Sequence, residues 1–381
     1  MFNRQGARGN SGAAPEFSMK AADPVRHANN FDFLRLVAAL SVVFSHSFLI
    51  AAGVRSYEPV VRLTHNQCTL GLVGVFVFFV ISGYLVTESY CRRPKPGGFV
   101  LRRFMRIYPA LIPNGVLCAL VLGPIVTSLP LAVYFSGHGV RDFLVEIATL
   151  WPGPLALPGV LFADTPVGLL INGSFWTLRF EVYMYAMVLI LGVARGPRLS
   201  VSIALLVLGI AAIWWDERHS LMWLHDIRGW LWMLSHFAAG MVMYFLRDRI
   251  AFRWYWALLA LAGLVVFSAI GEFITFFALS GGYLTIYAAT RYWPAVDYAR
   301  HVGDLSYGIY IYGWPCEEFV MWLSGGKAAW WQVFLGALGL VLPLAWLSWH
   351  GVEKWALRWV RGRRTPVQAP AAPETVGAGN S

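Results

Sequence analysis

Apolar residues in this chain fall into long runs broken by short polar stretches, from about residue 33 to residue 350. A helix rises 1.5 Å per residue, so about 20 apolar residues cross the ~30 Å hydrocarbon layer of a bilayer. Ten segments fit: 33–52, 70–90, 108–128, 175–194, 200–215, 229–246, 253–270, 273–290, 303–323 and 329–350. The expected fold is an all-α polytopic membrane protein with about ten transmembrane helices. No internal repeat is apparent.

Basic residues set the orientation. With both termini in the cytoplasm, the inside segments hold 22 of the 30 Lys and Arg and the outside segments hold 6. That bias is the positive-inside pattern. Composition agrees: 58% of the 381 residues are hydrophobic and 13% charged, about half the charge of a soluble domain, with a mean hydropathy of +0.57. The net charge of +10 is spread over short clusters at span ends, which topology explains without a nucleic-acid partner. Cys68, Cys91, Cys118 and Cys316 have no C-x-x-C spacing, so neither a zinc site nor a disulfide framework is expected.

Three units follow: residues 1–28 as a disordered cytoplasmic tail, 29–352 as the transmembrane domain, and 353–381 as a basic and then disordered cytoplasmic tail. The external stretch 129–174, rich in proline, is long for a connection. It reads either as an acceptor-binding lid or re-entrant loop, or as a partly ordered surface loop.

Ionisable residues inside the spans carry the candidate chemistry, because each costs a few kcal/mol in hydrocarbon. Arg35 and His46 are eleven residues apart, about three helical turns, so both lie on one face of the first span some 16 Å apart. His46 has three readings: a general base, a nucleophile, or a hydrogen-bonded packing residue. Glu181, about six residues inside the outer end of the fourth span, matches the depth of His46 and would orient its imidazole; a structural ion pair is the alternative.

On the cytoplasmic side, Arg102 and Arg106 share a helix face leading into the third span. With Arg103 and Arg35 they form a candidate phosphate grip. Ser82-Gly83 marks either close helix packing or passage of a slim chain. Tyr307 and Tyr310, in GDLSYGIYIYGWP, read either as lining a polar cavity or as interfacial aromatics. His236, Glu317 and Glu318 are second-tier candidates, since an interhelical hydrogen bond would explain each. No metal site is expected.

These motifs, in their order, resemble the integral-membrane acyltransferase-3 family, whose members O-acetylate bacterial surface glycans. FDFLRLVAALSVVFSHS resembles its opening motif, with Arg and His eleven apart, and GVFVFFVISGYL, RRFMRIYP, SFWTLRFEVYMY and LSYGIYIY follow in the family's order. The resemblance covers residues 30–350. Many members carry a His just after the ninth-span tyrosines, where this chain has Gly313-Trp314-Pro315, so no role of that His is carried over.

The resemblance implies a multi-pass protein of a bacterial inner membrane. It implies acyl-CoA, usually acetyl-CoA, as a co-substrate taken from the cytoplasm, with no bound cofactor, and a glycan or lipid-linked saccharide acceptor at the outer face. Arg35, Arg102, Arg103 and Arg106 would hold the CoA phosphates, with the pantetheine arm reaching toward His46. His46 and Glu181 would be catalytic, and Ser82, Tyr307 and Tyr310 would contact substrate. A transporter or flippase using Arg35, His46 and Glu181 as a proton or substrate relay is the competing expectation. Oligomeric state is unknown from sequence.

Overall fold

A computed structural model describes residues 30–53, 58–151, 153, 155–160, 170–194, 196–219, 228–291 and 303–362. Every regular element among them is helical. The principal helices are α1 (Phe31–Ala52), α2 (Leu70–Arg92), α3 (Pro96–Val126), α4 (Gly139–Thr149), α5 (Trp176–Ala194) and α6 (Leu199–His219). They continue with α7 (Arg228–Leu246), α8 (Trp254–Ala269), α9 (Phe273–Thr290), α10 (Ser306–Leu323), α11 (Trp330–Ser348) and α12 (Lys354–Gly362). The expected tail 1–28 lies outside the described residues, as does the chain beyond residue 362.

Eight of these helices are long and apolar enough to cross a membrane. The other two expected spans are helices of a different kind. Helix α8 has only 16 residues, although its sequence is strongly apolar. Helix α10 has 18 residues, but its Ser, Tyr and Glu side chains make it much less apolar. Burial explains that composition: α10 is enclosed on all sides from Ser306 to Glu318, so its polar groups need not face lipid. Helix α8 shows the opposite pattern, with Val265 67% exposed, as expected of a surface solvated by acyl chains.

The helices pack in succession, α11 against α10, α10 against α1, α1 against α2, and α2 against α7, with α6 and α9 also against α7. Glycine sets the tightest crossing. A Cβ on Gly83 would stand 2.0 Å from the Phe237 carbonyl oxygen, and one on Gly240 would stand 2.1 Å from that of Val80. Helices α2 and α7 therefore touch backbone to backbone, and the Ser82-Gly83 pair divides its work: Gly83 packs, while Ser82 faces a cavity.

Proline decides the bundle's centre. Pro315 lies inside α10 and has no N–H to give the Ile311 carbonyl four residues earlier. Two buried amides replace it: Asn114 of α3 donates at 3.2 Å and Asn172 at 2.7 Å. Asn172 also caps the 3-10 turn Gly173–Phe175 by accepting from Ser174 N at 2.9 Å. The segment entering α5 is thereby pinned to mid-bundle rather than to the outer surface.

Candidate active site

Helix α1 runs past two cavities. One is lined by Arg35, Ser82, Arg103, Arg106, Glu181 and the tyrosines Tyr185, Tyr307 and Tyr310. The other, which is larger, is lined by His46, Glu146, Arg179, Asn172 and a set of aromatic rings. Val75 and Tyr310 line both, so the cavities adjoin at that pair of side chains. The Tyr310 hydroxyl is fixed there, 2.5 Å from Thr177 Oγ1 and 3.1 Å from the Ser174 carbonyl.

The arginine cavity is held together by a carboxylate that the sequence analysis did not single out. Asp304, just before α10, lies 2.7 Å from Arg106 Nη2 and 3.7 Å from Arg35 Nη1, and it accepts from Ser306 Oγ at 2.5 Å. Arg35 also reaches Asp32 at 3.3 Å. Arg103 has no carboxylate partner among the described residues; its guanidinium lies over the rings of Tyr185 (5.3 Å) and Phe99 (5.8 Å). Tyr185 donates to Glu181, and Tyr307 donates to the Ile107 carbonyl at 3.0 Å.

Arg102 does not line this cavity. Its Nη1 lies 3.3 Å from where a Cβ on Gly98 would sit, so the side chain follows its own helix toward the N-terminus. The expected Arg102–Arg106 face gives way to Arg103 and Arg106, three residues apart. Both spacings share a helix face; packing against Tyr185 and Asp304 selects between them.

At the other end, the carboxylate near His46 is Glu317. His46 Nδ1 stands 3.7 Å from Glu317 Oε2, a charge contact longer than a hydrogen bond. Glu317 is fully buried, while the His46 side chain is 17% exposed. Trp314 presses its ring edge-on against the imidazole, with centroids 4.7 Å apart. The expected pairing of His46 with Glu181 is not the arrangement found, because Glu181 lines the arginine cavity. The reason is the depth at which α5 begins: Asn172 and Ser174 are both fully buried, so counting residues from a presumed outer surface places Glu181 too high.

Other polar residues have structural roles. His236 stacks on Phe76, with ring centroids 3.7 Å apart, and its Nδ1 is 2.6 Å from the Trp232 carbonyl. Glu58 is buried, accepts from Ser45 Oγ at 2.9 Å and caps the start of α2 at Leu70 N. All four cysteines are free thiols. Cys68 lies outside the spans, and burial, aided by the nearby Glu58 charge, pushes its thiol well up, which makes it a poor nucleophile. The 129–174 segment is more than a surface connection: Glu146, Ile147 and Leu150 from it wall the histidine cavity.

Comparison with known proteins adds the family. Residues 29–350 match the acyltransferase-3 domain, described as "Acyltransferase domain". The chain belongs to the acyltransferase-3 family. Curated relatives include the "O-acetyl transferase" of Shigella phage Sf6, 28% identical over 340 residues, covering 86% of this chain and 95% of that one. Another is "Nodulation protein 10" of Rhizobium leguminosarum bv. viciae, 27% identical over 365 residues, covering 87% and 94%. No solved structure matches significantly.

Family membership identifies the chain as an acyltransferase and gives new weight to its departure at Gly313-Trp314-Pro315. Trp314 contacts His46, and Pro315 sets the amide cluster around Ile311. A signal for Glu317 was present in the sequence, since adjacent Glu317 and Glu318 within an apolar span are as costly as Glu181. Asp304 had no such signal; a single acid at a span boundary is unremarkable until folding brings Arg35 and Arg106 beside it.

Proposed function

We propose that this acyltransferase moves an acyl group, acetyl in the first instance, from cytoplasmic acyl-CoA to a hydroxyl of an extracytoplasmic glycan such as O-antigen or exopolysaccharide. The observation that carries the reading is the pair of adjoining cavities along α1, with arginines in one and His46 in the other. Eleven residues of helix separate Arg35 from His46 by about 16 Å, comparable with an extended pantetheine arm. A bilayer-spanning enzyme needs this arrangement if its donor and acceptor arrive from opposite sides.

In this reading Arg103, free of any described carboxylate, takes a donor phosphate. Arg35 and Arg106 supply the positive field but stay anchored to Asp304. The thioester would pass Tyr310 into the histidine cavity. There the acceptor hydroxyl gives its proton to His46 Nε2, its oxygen attacks the thioester carbonyl, and the C–S bond breaks to release the CoA thiolate, which then takes up a proton. Glu317, on the Nδ1 side, favours the tautomer with Nε2 unprotonated and balances the imidazolium that forms.

The test is the O-acetyl content of the surface glycan, read by NMR, in cells lacking the protein and complemented with wild type or His46→Ala at matched membrane levels. Acetyl signals should return with wild type alone. Full restoration by His46→Ala would overturn the assignment, and a solute-transport defect with unchanged acetylation would establish the relay through Arg35, His46 and Glu181 instead.

A further inference from the structure

The histidine cavity holds a cation that the transfer chemistry above does not use. Arg179, one and a half turns before Tyr185 on α5, is the one arginine or lysine among the described residues that line it. Its Nε is buried without a hydrogen-bond partner, and no carboxylate among the described residues lies within ion-pair distance. Its one described charge contact is with the Phe180 ring, 5.2 Å from the guanidinium carbon. A ring face offsets only part of what a guanidinium loses on leaving water.

A second donor in the same cavity is also unmet. Trp232 lines it, and its indole Nε1–H is buried with no acceptor among the described residues. Glu146, the acid among the described lining residues, accepts from Leu155 N at 3.0 Å and does not reach Arg179 within ion-pair distance. Trp151, Trp176 and Trp314 complete an aromatic wall of the kind that packs against the C–H faces of sugar rings. Unsatisfied donors beside sugar-sized aromatic surface call for a ligand that brings acceptors and negative charge.

We infer that the acceptor saccharide is anionic, and that Arg179, with Trp232, binds its charged group in the histidine cavity. The inference rests on the acyl-transfer reading and names the acceptor's chemical class. The shared chemistry is a carboxylate or phosphate oxyanion, supplied either by an acidic sugar such as a uronate or by the pyrophosphate of a polyprenyl-linked saccharide. Arg179 is here a specificity residue. It positions the acceptor and takes no part in the proton transfer.

The experiment uses the full chain in nanodiscs, acetyl-CoA as donor and three acceptor probes: a uronate-containing tetrasaccharide, its carboxyl-reduced neutral counterpart, and that neutral saccharide on polyprenyl pyrophosphate. Each is tested with wild type, Arg179→Ala, Arg179→Lys and Trp232→Phe. The wild type should prefer one charged probe over the neutral one by about 10- to 100-fold in acceptor KM. Whichever charged probe wins identifies the source of the anion. Arg179→Ala should erase the preference, Arg179→Lys should restore part of it, Trp232→Phe should weaken it less, and KM for acetyl-CoA should stay unchanged throughout.

Equal use of all three probes by wild type would overturn the inference. So would an Arg179→Ala variant that loses turnover on neutral and charged probes alike with acceptor KM intact. Thermal shifts with the same saccharides, without acetyl-CoA, separate the two claims. Stabilisation by a charged probe that depends on Arg179, in a protein that transfers acetyl to nothing, would sink the transfer reading and leave only anion binding by Arg179 standing.

Discussion

The two cavities along α1 treat charge in opposite ways. In the arginine cavity, Asp304 is shared by Arg106 and Arg35, Tyr185 is bonded to Glu181, and Tyr307 to a backbone carbonyl. Arg103 alone among its basic groups lacks a described carboxylate. In the larger histidine cavity, Arg179 Nε and Trp232 Nε1 have no partner among the described residues, and His46 meets Glu317 only at 3.7 Å. The first cavity is assembled in advance, so its arginines double as structure. The second keeps two donors unmet, at a cost in stability that bound substrate would offset. Removing a charge should therefore damage folding at one end and chemistry at the other.

The largest expected effect is at His46. His46→Ala should lower acetyl transfer by about 100- to 10,000-fold, with thermal stability and acetyl-CoA binding close to wild type; a variant that unfolds instead would erase the contrast between the cavities. Arg106→Ala should do the reverse. It leaves Asp304 buried beside one distant guanidinium, and breaking such a pair costs about 3–5 kcal/mol. Unfolding in detergent should show the loss, and Arg106→Gln with Asp304→Asn should recover most of it.

Two carboxamide substitutions sharpen the comparison. Glu317→Gln should reduce kcat by about 10- to 100-fold while leaving the acetyl-CoA KM alone, because an amide no longer balances the imidazolium. Glu181→Gln should alter the acetyl-CoA KM and spare kcat. The reverse pattern would restore the His46–Glu181 pairing expected from sequence. The smallest effect belongs at the wall of the histidine cavity: Asn172→Ala removes one of the two amide donors to the Ile311 carbonyl and the acceptor for Ser174 N, and should cost about 1–3 kcal/mol, read as a modest drop in melting temperature. Asn114 keeps that carbonyl satisfied.

Part of the site was legible in advance because helix geometry is local. Arg35 and His46 share a face of α1 whatever surrounds them, and Ser82, Arg103, Arg106, Tyr307 and Tyr310 do line one cavity. Arg102 shows the limit of the same argument, since residues 102, 103 and 106 all fall within reach of one side of a helix. Glu181 shows another limit: depth was counted from a presumed surface, but α5 starts where Asn172 is tied to α10.

Sequence by itself determined the helical class, the positions of the apolar runs, the eleven-residue spacing on α1 and the order of motifs that marks the family. Each follows from composition or from the fixed rise and twist of one helix. Tertiary structure alone decided that Glu317 rather than Glu181 stands by His46, that Asp304 ties Arg35 to Arg106, and that Arg179 faces an aromatic cavity. Those pairings join residues up to 271 positions apart, as with His46 and Glu317. Their distances depend on where Pro315 frees a carbonyl and where glycines let helices touch.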